Sequence, residues 1–156
     1  MPPITPQQRI ESARIGANQA AVCRLASGWV FLADLQYLRA YCILMADPLV
    51  ESINSLPAPA RSQFLSDMAL VGDALLAVTG ACRINYAILG NTDPVLHAHI
   101  VPRYADEPLE ILHQLPWSYP PEVMQATLFD AERDHSLILQ LAAAIDARQN
   151  EPAPME

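Results

Sequence analysis

The sequence predicts an α+β fold with about five short strands, a long helix in the middle and a helix near each end. Three observations predict it. Short apolar runs at residues 21–25, 29–33, 41–45 and 82–89, with a fifth near 95–101, are each bounded by residues that turn the chain. Between the third and fourth runs, Phe64, Leu65, Met68, Val71, Leu75, Leu76 and Val78 recur at spacings of three and four, the period of one helix face. The chain has 156 residues, of which 52 % are apolar and 17 % charged. That suits one domain with a sizeable core and argues against disorder.

Taken in order, Thr5 reads as an N-cap and Pro6 as the first helical residue, opening a helix to about Asn18. Ser27-Gly28 splits the first two strands as a hairpin break. Ala46-Asp47-Pro48 ends the third, and 49–56 is a connector with helical tendency. Pro57-Ala58-Pro59-Ala60 stops and restarts the chain, and the long helix spans 61–79 with Gly80 as its C-terminal cap. In the strand over 82–89, Ile84, Tyr86 and Ile88 alternate with Arg83, Asn85 and Ala87. Residues 90–94 form a loop, and 105–108 an acidic one. A helical turn is expected at 109–114 and an extended aromatic stretch at 116–121. A last helix over 122–148 breaks near Asp130, with Leu137, Leu141 and Ile145 on one face, and 150–156 is a frayed tail.

Charge and motifs narrow the function. The formal net charge is −8 and no basic stripe is visible, which argues against nucleic acid held through its phosphates. A small anionic substrate held by backbone N–H groups stays open. Cys23, Cys42 and Cys82 have no CxxC spacing and read as small apolar residues in a reducing compartment. No basic-then-apolar leader and no membrane-length apolar run is present, so a cytoplasmic protein with no membrane partner is expected. Gly-x-Ser-x-Gly and the glycine-rich phosphate loops are absent.

The informative stretch is Gly90-Asn91-Thr92-Asp93-Pro94-Val95-Leu96-His97-Ala98-His99-Ile100-Val101-Pro102-Arg103-Tyr104. Leu96, Ala98 and Ile100 alternate with His97 and His99, so the two imidazoles share one face of a strand bracketed by Pro94 and Pro102. Such a pair is a nucleophile with its helper, two ligands of a metal, or polar surface. A metal needs a third ligand, and His113 and His135 stand at no recognisable spacing. No metal site and no cofactor are predicted. Asn85, mid-strand, is expected to face the histidines, where its amide donates to a phosphate or orients an imidazole.

The pattern Asn85-Tyr86-x4-Asn91-x5-His97-x-His99-x-x-Pro102-Arg103-Tyr104 resembles the signature of the histidine triad superfamily of nucleotide hydrolases and transferases. It is most similar to the bacterial branch of dinucleoside-polyphosphate hydrolases. Where that family has a first histidine, this chain has Val95. The resemblance covers about 22–104. It implies a single domain over 1–156 with its core at about 20–105 and a C-terminal extension over 106–156. It implies an antiparallel sheet of about five strands with the long helix on one face. His97 maps to the family's nucleophile and His99 to its third histidine. Asn91 and Thr92 fall in the loop used to cradle the α-phosphate, and Asp34 at the position used for the ribose hydroxyls. From the residues alone, Asp34 also reads as closing a turn.

The activity implied is cleavage of a nucleoside 5′-phosphoanhydride or phosphoramidate, of dinucleoside-polyphosphate type, through a nucleotidyl-histidine intermediate. The partners implied are a purine nucleotide and a second copy of the chain in a homodimer. Trp117 then stacks on a base, meets the partner, or simply packs. The alternative is a nucleotide-binding module with little catalysis, suggested by Val95 and the charge of −8.

Overall fold

The structure is a computed structural model and describes residues 4–151. Most of the tail expected over 150–156 lies outside these residues, as does the start of the N-terminal segment. Five strands, β1 (Ala21–Arg24), β2 (Gly28–Leu32), β3 (Cys42–Ala46), β4 (Arg83–Ala87) and β5 (His97–Arg103), form one open antiparallel sheet in the order β1-β2-β3-β5-β4. The helices are α1 (Pro6–Arg14), α2 (Ala58–Thr79), α3 (Leu109–Leu112), α4 (Pro121–Ala126) and α5 (Ala131–Gln149).

The sheet's two faces are both covered, unequally. Val30, Leu32, Cys42, Leu44, Ala98 and Ile100 point to the face on which α2 and α5 pack. There they meet Phe64, Val71 and Leu75 of α2 and Leu137, Leu141 and Ile145 of α5. On the other face, Ile10 and Ala13 of α1 lie against Phe31 and Met45. Beside them Ala33, Leu38, Tyr41 and Val101 gather with Tyr37, Tyr104, Trp117 and Tyr119. Cover on both sides is why β2 and β3 read as continuous apolar runs rather than alternating ones. Each fully buried large side chain contributes about 1.5–3 kcal/mol.

Local chemistry sets most boundaries. Thr5 Oγ1 accepts from the Gln8 amide while Gln8 Oε1 accepts from the Thr5 amide, a complete capping box. α1 stops at Arg14, four residues short of the expected end, because Gly16 takes φ +70 and turns the chain. Gly80, also at φ +70, closes α2. That helix begins at Ala58, ahead of the expected 61, since Pro59 sits in its first turn, where no N–H is needed. The expected break in the last helix falls at Asp130, whose Oδ1 accepts from the Glu132 and Arg133 amides as the cap of α5.

Two expectations are corrected. Residues 116–118 form a 3₁₀ turn rather than an extended stretch, with the Ser118 amide donating to the Leu115 carbonyl. Pro116 at the first position pre-sets φ for it. Pro102 lies within β5, opposite Ile84, instead of ending the strand. The Arg103 carbonyl faces the β4 side, accepting from Cys82, so the neighbouring Pro102 nitrogen faces the β3 side. β3 pairs with β5 only as far as Ile100, and the missing N–H costs no ladder bond.

Candidate functional site

β5 carries the site. His97, His99, Val101 and Arg103 point away from α2, as the alternation of buried Ala98 and Ile100 requires. The rings of His97 and His99 lie 4.9 Å apart, centroid to centroid, at 74°. Met45 and Ile43 oppose them on β3, and Ala87 opposes His99 on β4. His97 is 8 % exposed.

The two imidazoles have different partners. His97 Nδ1 lies 2.8 Å from the Val95 carbonyl oxygen. A carbonyl only accepts, so Nδ1 carries a proton, and in the neutral ring the lone pair is then on Nε2. Val95 precedes β5 and does not extend it. Its contact with His97 is made by its backbone carbonyl. His99 Nδ1 lies 2.6 Å from the Tyr41 hydroxyl, and the Trp117 and His99 rings meet nearly at right angles, 5.4 Å apart between centroids. Burial, with the neighbouring His97 adding to it, pushes His99 down from 6.5 to about 4.

Asn85 shares the histidine face, opposite Val101. Its Oδ1 accepts from Arg103 Nη1 at 2.9 Å. Among the described residues its amide nitrogen has no partner, which leaves two N–H donors. Asn85 and Ala87 form one wall of a groove of about 690 Å³, with Gln114, Leu115, Pro116 and Trp117 opposite. Trp117 thus joins this groove to His99. Asn91 and Thr92 are exposed in the loop that leads into β5. That loop is tied down where Val95 donates to the Asp93 carbonyl and Leu96 to the Val50 carbonyl.

Among the described residues no hydrogen bond joins Asp34 to the histidines, and the depression it lines includes neither of them. Asp34 follows the end of β2, is exposed, and receives both its bonds from Arg9 of α1, at 2.8 and 3.1 Å. It lines a shallow depression with Arg9, Asn18 and Phe129. His113 stands at the rim of the Trp117 groove and His135 on the exposed side of α5. Among the described residues no three His, Cys, Asp or Glu side chains gather as a metal site would need.

Two features escaped the sequence reading. Tyr41 reads as one more residue of an apolar run, and only the fold sets its hydroxyl on His99. Arg103 is 2 % exposed and places all five of its donors. Nε and Nη2 go to Glu107, Nη1 to Asn85 and the Gln114 carbonyl, and Nη2 also to the Ile111 carbonyl. Glu107, expected in an acidic loop, is buried on that fork and accepts from the Tyr104 amide and the Tyr119 hydroxyl. Burial alone raises its carboxyl; the Arg103 bond, with the amide and hydroxyl donors, overcomes that and holds it below the ordinary value. Arg103 is a staple tying β5 to the segment that carries Trp117. The one available signal was its spacing of four residues from Glu107.

No protein-family model matches the sequence, and no curated protein matches it. Solved structures do share its fold. A histidine triad protein from Marinobacter aquaeolei VT8 superposes with a TM-score of 0.69 at 21 % identity, over 86 % of this chain and 94 % of that one. One from Bradyrhizobium japonicum gives 0.65 at 24 %, over 85 % and 95 %. A hypothetical histidine triad nucleotide-binding protein from Sulfolobus tokodaii gives 0.69 at 12 %, over 94 % and 97 %.

Proposed function

We propose that this chain is a nucleotide hydrolase or transferase of the histidine triad superfamily, cleaving a nucleoside 5′-phosphoanhydride or phosphoramidate through a nucleotidyl intermediate on His97. The observation that carries this reading is the 2.8 Å bond from His97 Nδ1 to the Val95 carbonyl, which makes Nε2 the lone-pair nitrogen of the neutral ring, beside a second imidazole. The Nε2 lone pair forms a bond to the α-phosphorus, and the bond to the leaving group breaks with its electron pair. Water then attacks the same phosphorus. The N–P bond breaks, the nucleoside monophosphate leaves, one proton goes to solvent, and the imidazole is restored. Asn85, Asn91 and Thr92 supply neutral donors for the nonbridging oxygens, each worth about 2–4 kcal/mol when well placed.

In the same reading Asp34 accepts from the ribose hydroxyls of a purine nucleotide. Its carboxylate keeps acceptor capacity beyond the Arg9 bonds. Asp34→Ala is expected to weaken AMP binding by about 1–3 kcal/mol, and to leave binding of the deoxyribonucleotide unchanged. Equal loss for both would show a structural role only. Val95, in place of a first histidine, favours the second reading, a nucleotide-binding module. An adenylated fluorogenic substrate separates the two. Wild type is expected to turn over, and His97→Ala to lose turnover while still binding AMP. Equal turnover by His97→Ala refutes the nucleophile; no adduct and no product from wild type leaves the binding module.

A further inference from the structure

The Tyr41 hydroxyl lies 2.6 Å from His99 Nδ1, and Tyr41 is 4 % exposed. Among the described residues no other acceptor takes its proton. A buried O–H without an acceptor is costly. Tyr41 therefore donates, His99 Nδ1 accepts, and the one proton of the neutral ring sits on Nε2. Burial also raises the Tyr41 hydroxyl above its ordinary value, so it keeps the proton it donates. His97 is in the opposite state, with Nδ1 donating to Val95. The site thus presents one lone pair and one N–H from two rings 4.9 Å apart.

We propose that Tyr41 holds His99 as a neutral Nε2–H donor that hydrogen-bonds the substrate without surrendering its proton, so that the site favours phosphoanhydrides over phosphoramidates. The substrate preference rests on the nucleotidyl-transfer reading above. Full proton transfer from a neutral ring would leave an imidazolate. The other route, charging His99 first, is opposed by burial and by His97. When an anhydride is attacked, the His97 Nε2–P bond forms and the bridging P–O bond breaks. The leaving group departs as a phosphate anion and needs no proton. When a phosphoramidate is attacked, the P–N bond breaks and the nitrogen must gain a proton, since an amide anion does not leave.

No residue around His99 supplies that proton readily. Tyr41 and Trp117 touch the ring, Ile43 opposes it on β3 and Ala87 on β4. His97 is the nucleophile. Among the described residues no carboxylate hydrogen-bonds either imidazole.

The test compares wild type with Tyr41→Phe on a dinucleoside polyphosphate and on an adenosine 5′-alkylphosphoramidate, alongside NMR of the imidazole ring nitrogens. Wild type should show His99 protonated at Nε2 and prefer the anhydride by about 100-fold in kcat/KM, the low end of what a general acid contributes. In Tyr41→Phe, His99 should become a mixture of tautomers, with kcat on the anhydride reduced about ten-fold and KM little changed. A wild-type His99 protonated at Nδ1, or an unchanged ring pattern in Tyr41→Phe, overturns the Tyr41 assignment. Should the variant not fold, the wild-type spectrum decides it alone. Equal turnover of the two substrates overturns the preference while leaving nucleotidyl transfer intact. If neither substrate reacts while His99 is protonated at Nε2, nucleotidyl transfer fails and the preference with it, and the Tyr41 assignment stands.

Discussion

His97 and His99 are the same side chain two positions apart, yet their surroundings give them different proton chemistry. One is set by a carbonyl that only accepts, the other by a hydroxyl with nowhere else to donate. The second has a consequence for stability. His99 titrates at about 4 in the folded chain against 6.5 ordinarily. Between those values the unfolded chain binds a proton that the folded chain refuses, so stability falls as pH drops through that window. Below about 4 His99 adds nothing more. For a fully buried group the effect would be about 3 kcal/mol, and partial exposure reduces it to about 1–2 kcal/mol. Denaturant unfolding at pH 7 and near pH 4.5 should show wild type losing that much more than His99→Gln; parallel losses would contradict the assigned shift.

At the scale of elements, two connectors hold the groups around His99. The turn between β2 and β3 is closed by Gln36, which is 5 % exposed. Its Nε2 donates to the Ala33 and Tyr41 carbonyls, and its Oε1 accepts from the Ala40 amide. Gln36→Leu orphans buried backbone groups at Ala33 and Ala40, at about 1–3 kcal/mol each. Chemical denaturation is expected to show a loss of about 2–6 kcal/mol on that basis, with the His99 tautomer loosened because Tyr41 ends this turn. A loss below about half a kcal/mol would mean that water replaces the amide. The second connector is the Arg103–Glu107 staple, whose members are 2 % and 4 % exposed at the side chain. Arg103→Lys replaces a five-donor fork by a compact ammonium. A stability loss of about 2–4 kcal/mol is expected, with a change in Trp117 emission read in a Trp29→Phe background. Unchanged emission would show that the Trp117 segment is held by its own packing.

On the scale of the whole molecule, α1 lies over part of the histidine face, joined by Arg9 to Asp34 and by Arg14 to Asp47. Among the described residues no strand pairs with the opposite edge of the sheet. β4 is an end strand of the sheet, and Leu65, Leu76, Tyr86 and Leu89 around it are 40–55 % exposed. An unpaired edge beside exposed apolar residues is a site for pairing with another chain. We expect a homodimer through α2 and β4. Sedimentation at micromolar concentration should give twice the monomer mass, and a Leu65→Lys/Leu76→Lys variant should give the monomer. A wild type that sediments only as the monomer removes the dimer.

The sequence by itself determined what depends on near neighbours. Alternation put His97 and His99 on one face and Asn85 on the same side, Thr5 and Gly80 marked helix ends, and Asp130 marked the break before α5. These follow from backbone period and capping, which act over a few residues. The long-range pairings were decided only in three dimensions. Tyr41 reaches His99 across 58 positions, Arg9 reaches Asp34 across 25, and Arg103 finds four different partners. Pro102 is tolerated inside β5 because its neighbour on that side has already ended, a fact of register. Such contacts depend on strand order and on which side chains fill the remaining space. A periodic pattern identifies the face a residue occupies; the partner it meets there is set by the packing of distant elements onto that face.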